Sequence, residues 1–155
     1  MPIYRPFFLS QKEVDMFDHL NQELIDEISG QYVDVYKVEA DESEVNPYGE
    51  STTKYWKAGY RVNCLVRYEE PGYNIDEFGP DFNSVFEVYF HKTTLSGSDF
   101  YPEIGDVVDW NTMYFEIDTV SEFQYLGSSP NFSHSVKCTG HKSRLSSLQI
   151  EERPR

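Results

Sequence analysis

The stretch PEIGDVVDWNTMYFEIDTV, residues 102–120, decides how the rest of the chain is read. Two short apolar runs flank the polar pair Asn111-Thr112, and the step Gly105-Asp106 opens the first run. β-Branched and aromatic runs on either side of a two-residue polar break are the pattern of a β-hairpin. Strands are therefore expected over Asp106–Trp110 and Met113–Val120. Side chains alternate along a strand, so Phe115 and Ile117 fall on one face and Glu116 and Asp118 on the other. Asp106 is placed to pin the turn that enters the hairpin. No residue in the stretch suggests catalysis.

Upstream, three further segments alternate or carry β-formers: Gln31–Glu39, Tyr60–Glu69 with Val62, Cys64 and Val66 on one face, and the aromatic-rich Asn83–Lys92. The last is expected in the interior of a sheet. Downstream, Phe123–Leu126 and Phe132–Thr139 are further candidates. Three connections longer than about ten residues separate these strands, which is unusual in a compact domain and points to contacts or function. They are the acidic stretch Ala40–Lys54, read as a long exposed loop, and the stretches EPGYNIDEFGPDF and TTLSGSDFYPEIG, read as further long connecting loops. Six or seven short strands with one helix predict a mainly β chain, a small antiparallel β-barrel or sandwich with long connecting loops and an N-terminal α-helix.

That helix is expected over Gln11–Ser29. Ser10 and Glu13 have the spacing of a capping box, and Gly30 is a natural stop. Val14, Phe17, Leu20, Leu24, Ile25 and Ile28 recur at helical spacing, so they are expected to form the buried face. Asp15, Asp18, Glu23, Asp26 and Glu27 are expected to form a solvated face. The organisation follows: a lead-in and helix over residues 1–30, a β body over 31–140, and a basic arm over 141–155.

The chain of 155 residues carries a formal net charge of -14. From Lys137 to Arg155 there are five basic residues and two acidic ones, so that segment is +3 and the preceding part is -17. Such a body has too few cations to hold nucleic acid by its phosphates, and the tail suits either an acidic partner, a neighbouring copy included, or a solvated terminus. Leu145, Leu148 and Ile150 could anchor it, with Arg144, Arg153 and Arg155 pairing to carboxylates. No secretory leader is expected from Met1–Leu9, no apolar run is long enough for a membrane span, and free thiols are expected at Cys64 and Cys138.

Signs of chemistry are weak. His134, Cys138 and His141 have a ligand-like look but lack the second pair that a structural zinc site wants. Cys64 sits in a strand and reads as a buried structural thiol rather than a nucleophile. Paired carboxylates are common in so acidic a chain. No phosphate-cradling glycine loop and no nucleophile elbow is present. No cofactor, catalytic residue or metal is expected.

Gly105–Gly127 resembles the C-terminal core of the neck, or head-completion, proteins of contractile-tailed bacteriophages. The matching residues are Gly105, Asp106, Phe115, Glu116, Ile117, Val120, Tyr125, Leu126 and Gly127. NPYGES at Asn46–Ser51, with Tyr48, Gly49 and Glu50 at its centre, and Phe78-Gly79 before the SVFEVYF run also look like that family. The likeness spans roughly residues 46 to 140, and the chain is shorter than the best-known members. The resemblance implies a virion protein of the neck that forms a ring, a hexamer, between portal and tail. Its partners would be other copies of itself, portal or adaptor proteins on the head side and a tail-terminator ring on the tail side. Genomic DNA would pass through the lumen without sequence-specific binding, and no membrane would be involved. A tail-terminator or tail-completion ring is the alternative within the same class. A small soluble ligand-binding or enzymatic barrel is the alternative outside it.

Overall fold

A computed structural model of the chain describes residues 10–38, 44–45, 51–53, 56–69, 74–76, 79–81, 85–98, 100–125 and 133–143. The hairpin forms where its sequence places it. Strands β9 (Val107–Trp110) and β10 (Met113–Tyr125) pair antiparallel, with Met113 opposite Trp110 and Glu116 opposite Val107. Asn111 and Thr112 both take left-handed φ, 51° and 65°. Two consecutive positive-φ residues make a primed turn, whose twist matches that of the strands it joins. Asparagine tolerates this conformation, whereas a β-branched threonine does so at a cost of about 1–2 kcal/mol. Thr112→Gly is therefore expected to stabilise the fold by up to about 1 kcal/mol, raising Tm by about 2–4 °C. A thermal melt in which the variant unfolds earlier than the parent counts against the turn assignment.

β10 is longer than its sequence suggests and absorbs the separate strand expected at Phe123–Leu126. It pairs with β11 (Ser133–Lys142), and the register slips between Ile117, opposite Gly140, and Thr119, opposite Thr139. Asp118 is the extra residue of a β-bulge, which bends the strand and shifts its alternation. Before the bulge Phe115 and Ile117 turn inward, and after it Val120 packs against the core opposite Cys138.

The main sheet has seven antiparallel strands in the order β4-β1-β9-β10-β11-β8-β5, curled into a half-barrel. β1 is Tyr32–Tyr36 and β8 is Val85–His91. The two margins, β4 (Tyr60–Asn63) and β5 (Leu65–Glu69), are consecutive in the chain with only Cys64 between them. The single strand expected at Tyr60–Glu69 is thus a bent one, pairing with β1 through its first half and with β8 through its second. Gln31 fixes the bend. Its carbonyl accepts from Cys64 N at 2.9 Å and its Oε1 accepts from Val66 N at 3.1 Å.

Inside the curl lie Val33, Val35, Val62, Cys64, Phe86, Val88, Phe90, Phe115, Ile117, Val136 and Cys138. On β8 the inward Phe86, Val88 and Phe90 alternate with Glu87, Tyr89 and His91, as strand geometry requires. Helix α2 (Lys92–Gly97) and the segment after it close one end with Leu95 and Phe100. The sequence reading took this connection for a loop. KTTLSG has few strong helix formers and is too short to show a helical period. On the outer side of β1, β9 and β10, Trp56 and Val107 form a second small core with Tyr36, Val38 and Tyr114.

The other two long connections are not wholly irregular either. β2 (Glu44–Val45) pairs with β3 (Ser51–Thr53), and β6 (Asn74–Asp76) with β7 (Gly79–Asp81). Strands of two and three residues are too short to show alternation. Tyr48, Gly49 and Glu50 lie outside the described residues, as do Gly127, Arg144, Leu145, Leu148 and Ile150.

Candidate functional site

Helix α1 (Gln11–Glu23) starts as expected. Ser10 N donates to Glu13 Oε2 at 2.7 Å and Ser10 Oγ donates to the same oxygen at 2.9 Å. These contacts, the backbone one above all, hold the Glu13 carboxyl below its ordinary range. The helix then widens into a π-helical segment, Leu24–Ser29, and stops at Gly30 with φ 59°. A wider turn shifts which residues share a face.

The orientation of the helix corrects the sequence reading. Only Val14 and Ile25 of the expected apolar face are buried. Phe17 is 40% exposed, Leu20 52%, Leu24 45% and Ile28 72%, and the adjacent Met16 is 51% exposed. Two of the supposedly solvated carboxylates face the body instead. Thr93 Oγ1 donates to Asp18 Oδ2 at 3.2 Å, Thr94 Oγ1 donates to Asp26 Oδ2 at 3.1 Å, and His91 Nε2 lies 3.1 Å from Asp18 Oδ1. The reason is the ground on which the helix rests. The junction of β8 and α2 offers His91, Thr93 and Thr94, so the polar side of α1 meets it and the apolar stripe is left outside.

The contact is incompletely satisfied. His91 is fully buried, yet among the described residues neither of its ring nitrogens completes an aligned hydrogen bond, and Asp26 Oδ1 and His134 Nδ1 are also buried without a partner among them. Burial, followed by the nearness of His91, pushes the His134 imidazole below its ordinary pKa. Each unsatisfied buried polar atom costs about 1–3 kcal/mol, so α1 is held less firmly than its length suggests. Beside it runs an open groove lined by His19, Gln22, Glu23, Asp26 and Glu27.

Of the motif residues singled out in the sequence, Gly105, Asp106, Phe115, Glu116 and Ile117 gather around the entry to the hairpin. Asp106, 3% exposed, accepts from Glu103 N at 2.8 Å through Oδ2, with Lys37 Nζ 3.9 Å away. Its backbone carbonyl accepts from Ile117 N at 2.8 Å, and Gly105 N donates to the Ile117 carbonyl at 2.9 Å. Gly105 has φ 93°, a conformation that favours glycine. Burial raises the Asp106 pKa in spite of the Glu103 amide and Lys37. Phe115 and Ile117 enter the core, and Glu116 is half-buried on the other face. This constellation fixes a turn, with Asp106, Phe115 and Ile117 buried and Gly105 and Glu116 partly exposed.

Elsewhere the titratable groups serve the wall. Lys137 Nζ donates to Glu87 Oε1 at 2.6 Å and Tyr89 OH to Glu87 Oε2 at 2.9 Å, which ties β8 to β11 and lowers the Glu87 pKa. Cys64 and Cys138 are free and buried, and burial pushes both thiols up to about 12, so neither is a thiolate near neutrality. His134, Cys138 and His141 do not converge. Cys138 points into the core, whereas His141 Nδ1 contacts the exposed Asp118 carboxylate at 2.8 Å. Among the described residues no group of three or more His, Cys, Asp or Glu side chains could hold a metal ion. Among the same residues no helix is long and apolar enough to cross a membrane.

The sequence reading missed His91, Thr93 and Thr94 as the seat of α1. Their only signal was Asp18 and Asp26, eight residues apart and so two turns apart on one side of the helix.

No protein-family model matches the chain. No curated protein matches it either. Among solved structures, a chain from the virion of a native gene transfer agent particle is similar in shape, with a TM-score of 0.48 and 14% identity. The match covers 71% of this chain and 90% of that one. A likeness of that size carries no functional argument.

Proposed function

We propose that the chain is a structural subunit of a phage-type virion. It would form a ring, a hexamer, in the neck between portal and tail, closing the filled head and giving the tail its docking surface. The observation that carries this reading is the outward apolar stripe of α1. A β shell whose amphipathic helix turns its apolar side to solvent is a unit made to be covered, since contiguous exposed apolar patches mark interaction surfaces. The resemblance of Gly105–Gly127 to neck proteins supplies the place in the particle. Its partners there would be copies of itself, portal or adaptor proteins and a tail-terminator ring. An acidic lumen fits the task, because carboxylates repel phosphate and let DNA slide.

The test is to purify particles from cells that make the chain, quantify it in them by mass spectrometry and locate it by electron microscopy. Expected is a whole-number ring of copies at the head–tail junction. Density at the far end of an unattached tail would point to a tail-terminator ring instead. A monomer recovered only from the soluble lysate would overturn the virion role.

A further inference from the structure

We propose that the outward apolar stripe of α1 is the seat of the C-terminal tail, residues 144–155, of a second copy of the chain. The inference rests on the reading of the protein as a self-assembling subunit and specifies the contact between copies.

Three observations converge on this occupant. The first is chemistry. Along α1 and its π-helical extension, Glu23 and Glu27 border Leu20, Leu24 and Ile28, so an apolar stripe runs beside an acidic flank. Between Gln11 and Ser29 there are six carboxylates against the single cation Lys12. The tail carries the complement, with Leu145, Leu148 and Ile150 flanked by Arg144 on one side and by Arg153 and Arg155, beyond Glu151-Glu152, on the other. Its leucines and isoleucine match the stripe, and its guanidiniums match the neighbouring groove, which Glu23, Asp26 and Glu27 line.

The second is reach. α1 rests on His91, which is opposite Ser135 near the start of β11. The tail departs from the other end of that strand, where Lys142 is opposite Phe115 and Ser143 N bonds the Tyr114 carbonyl. Seven residues of antiparallel strand separate the two levels by about 24 Å. Leu145 lies two residues beyond Ser143 and Leu148 five, spans of at most about 7 and 18 Å. Both fall short of the His91 level at which Asp18 seats the helix in their own chain, whereas a second copy brought hairpin end to helix end presents both directly. The third is the helix itself. It buries Val14 and Ile25, meets His91, Thr93 and Thr94 through polar contacts, and leaves Phe17, Leu20, Leu24 and Ile28 exposed.

The full-length chain supports a direct test, because its native cysteines are buried. Two single-site variants, Leu24→Cys and Leu148→Cys, are purified separately, mixed and exposed to mild oxidant, then run on a non-reducing gel. Expected is a cross-linked heterodimer in the mixture, several-fold above the homodimer formed by either variant alone. Adding Leu20→Asp to the Leu24→Cys chain should abolish the cross-link while circular dichroism shows the same β-sheet signal, since Leu20 is exposed. A cross-link that forms only within a chain carrying both cysteines would overturn the second-copy assignment in favour of self-docking. No cross-link in either arrangement overturns the proposal. If particles nonetheless contain the chain as a neck ring, the virion reading stands without it.

Discussion

Phe115→Ala is expected to lower the stability of the fold by about 3–5 kcal/mol, the usual range for emptying a buried aromatic site. Phe115 has no exposed surface and stacks on Phe86 with ring centroids 3.9 Å apart and planes 5° from parallel. Tyr68 meets it edge-on at 5.7 Å. The ring thus joins β10, β8 and β5, strands that come from distant parts of the sequence, and truncation removes contacts to all three at once. Domains of this size are stable by only about 5–15 kcal/mol in total, so the variant should sit near its unfolding threshold. Urea unfolding followed by tryptophan fluorescence reads the change, and a loss below about 1 kcal/mol would mean that Phe115 is not at the centre of the core.

Gly140→Ala comes next in size. A Cβ at this position would lie 2.4 Å from the Glu116 carbonyl oxygen and 3.1 Å from its carbon. Both are backbone atoms of the neighbouring strand, held close by the bulge at Asp118, and they cannot turn aside as a side chain would. The sheet must shift there, at a cost of roughly 2–3 kcal/mol. A fall in Tm of roughly 5–10 °C is expected for a chain of this length. Gly97→Ala is the control, because nothing lies within 4 Å of the Cβ it would gain. Equal melting temperatures for the two variants would show that the close approach of β10 and β11 at Gly140 is absent.

What could be read in advance depended on how locally each feature is determined. The hairpin at Asn111-Thr112 was legible because turn type, flanking β-formers and alternation all lie within a few residues of one another. The ends of α1 were legible for the same reason, through Ser10, Glu13 and Gly30. Which face of α1 is buried was not. That depends on the surface it meets, and His91, Thr93 and Thr94 arrive some seventy positions later in the chain. The fusion of two expected strands into β10 was hidden at Ser121-Glu122, a polar pair between Val120 and Phe123 that reads as a break although the strand runs through it. The bend at Cys64 was hidden too, because Val62, Cys64 and Val66 alternate smoothly while the partner strand changes beneath them. The candidate interface was half legible: the stripe of Phe17, Leu20, Leu24 and Ile28 was found in the sequence, but placed on the wrong side of the helix.

The arrangement at Cys64 has one more consequence. A flat sheet can fray from either edge independently, one strand at a time. Here the two outermost strands are neighbours along the backbone, and Gln31 bonds to the join at Cys64 and to Val66 just beyond it. Peeling Tyr60–Asn63 from β1 pulls on Leu65–Glu69, and loosening the latter from β8 drags the former. The shell is therefore shut like a clasp rather than a zip. Its margins gain or lose protection from solvent exchange in a single step, and a pull applied across the join meets resistance from both sides at once.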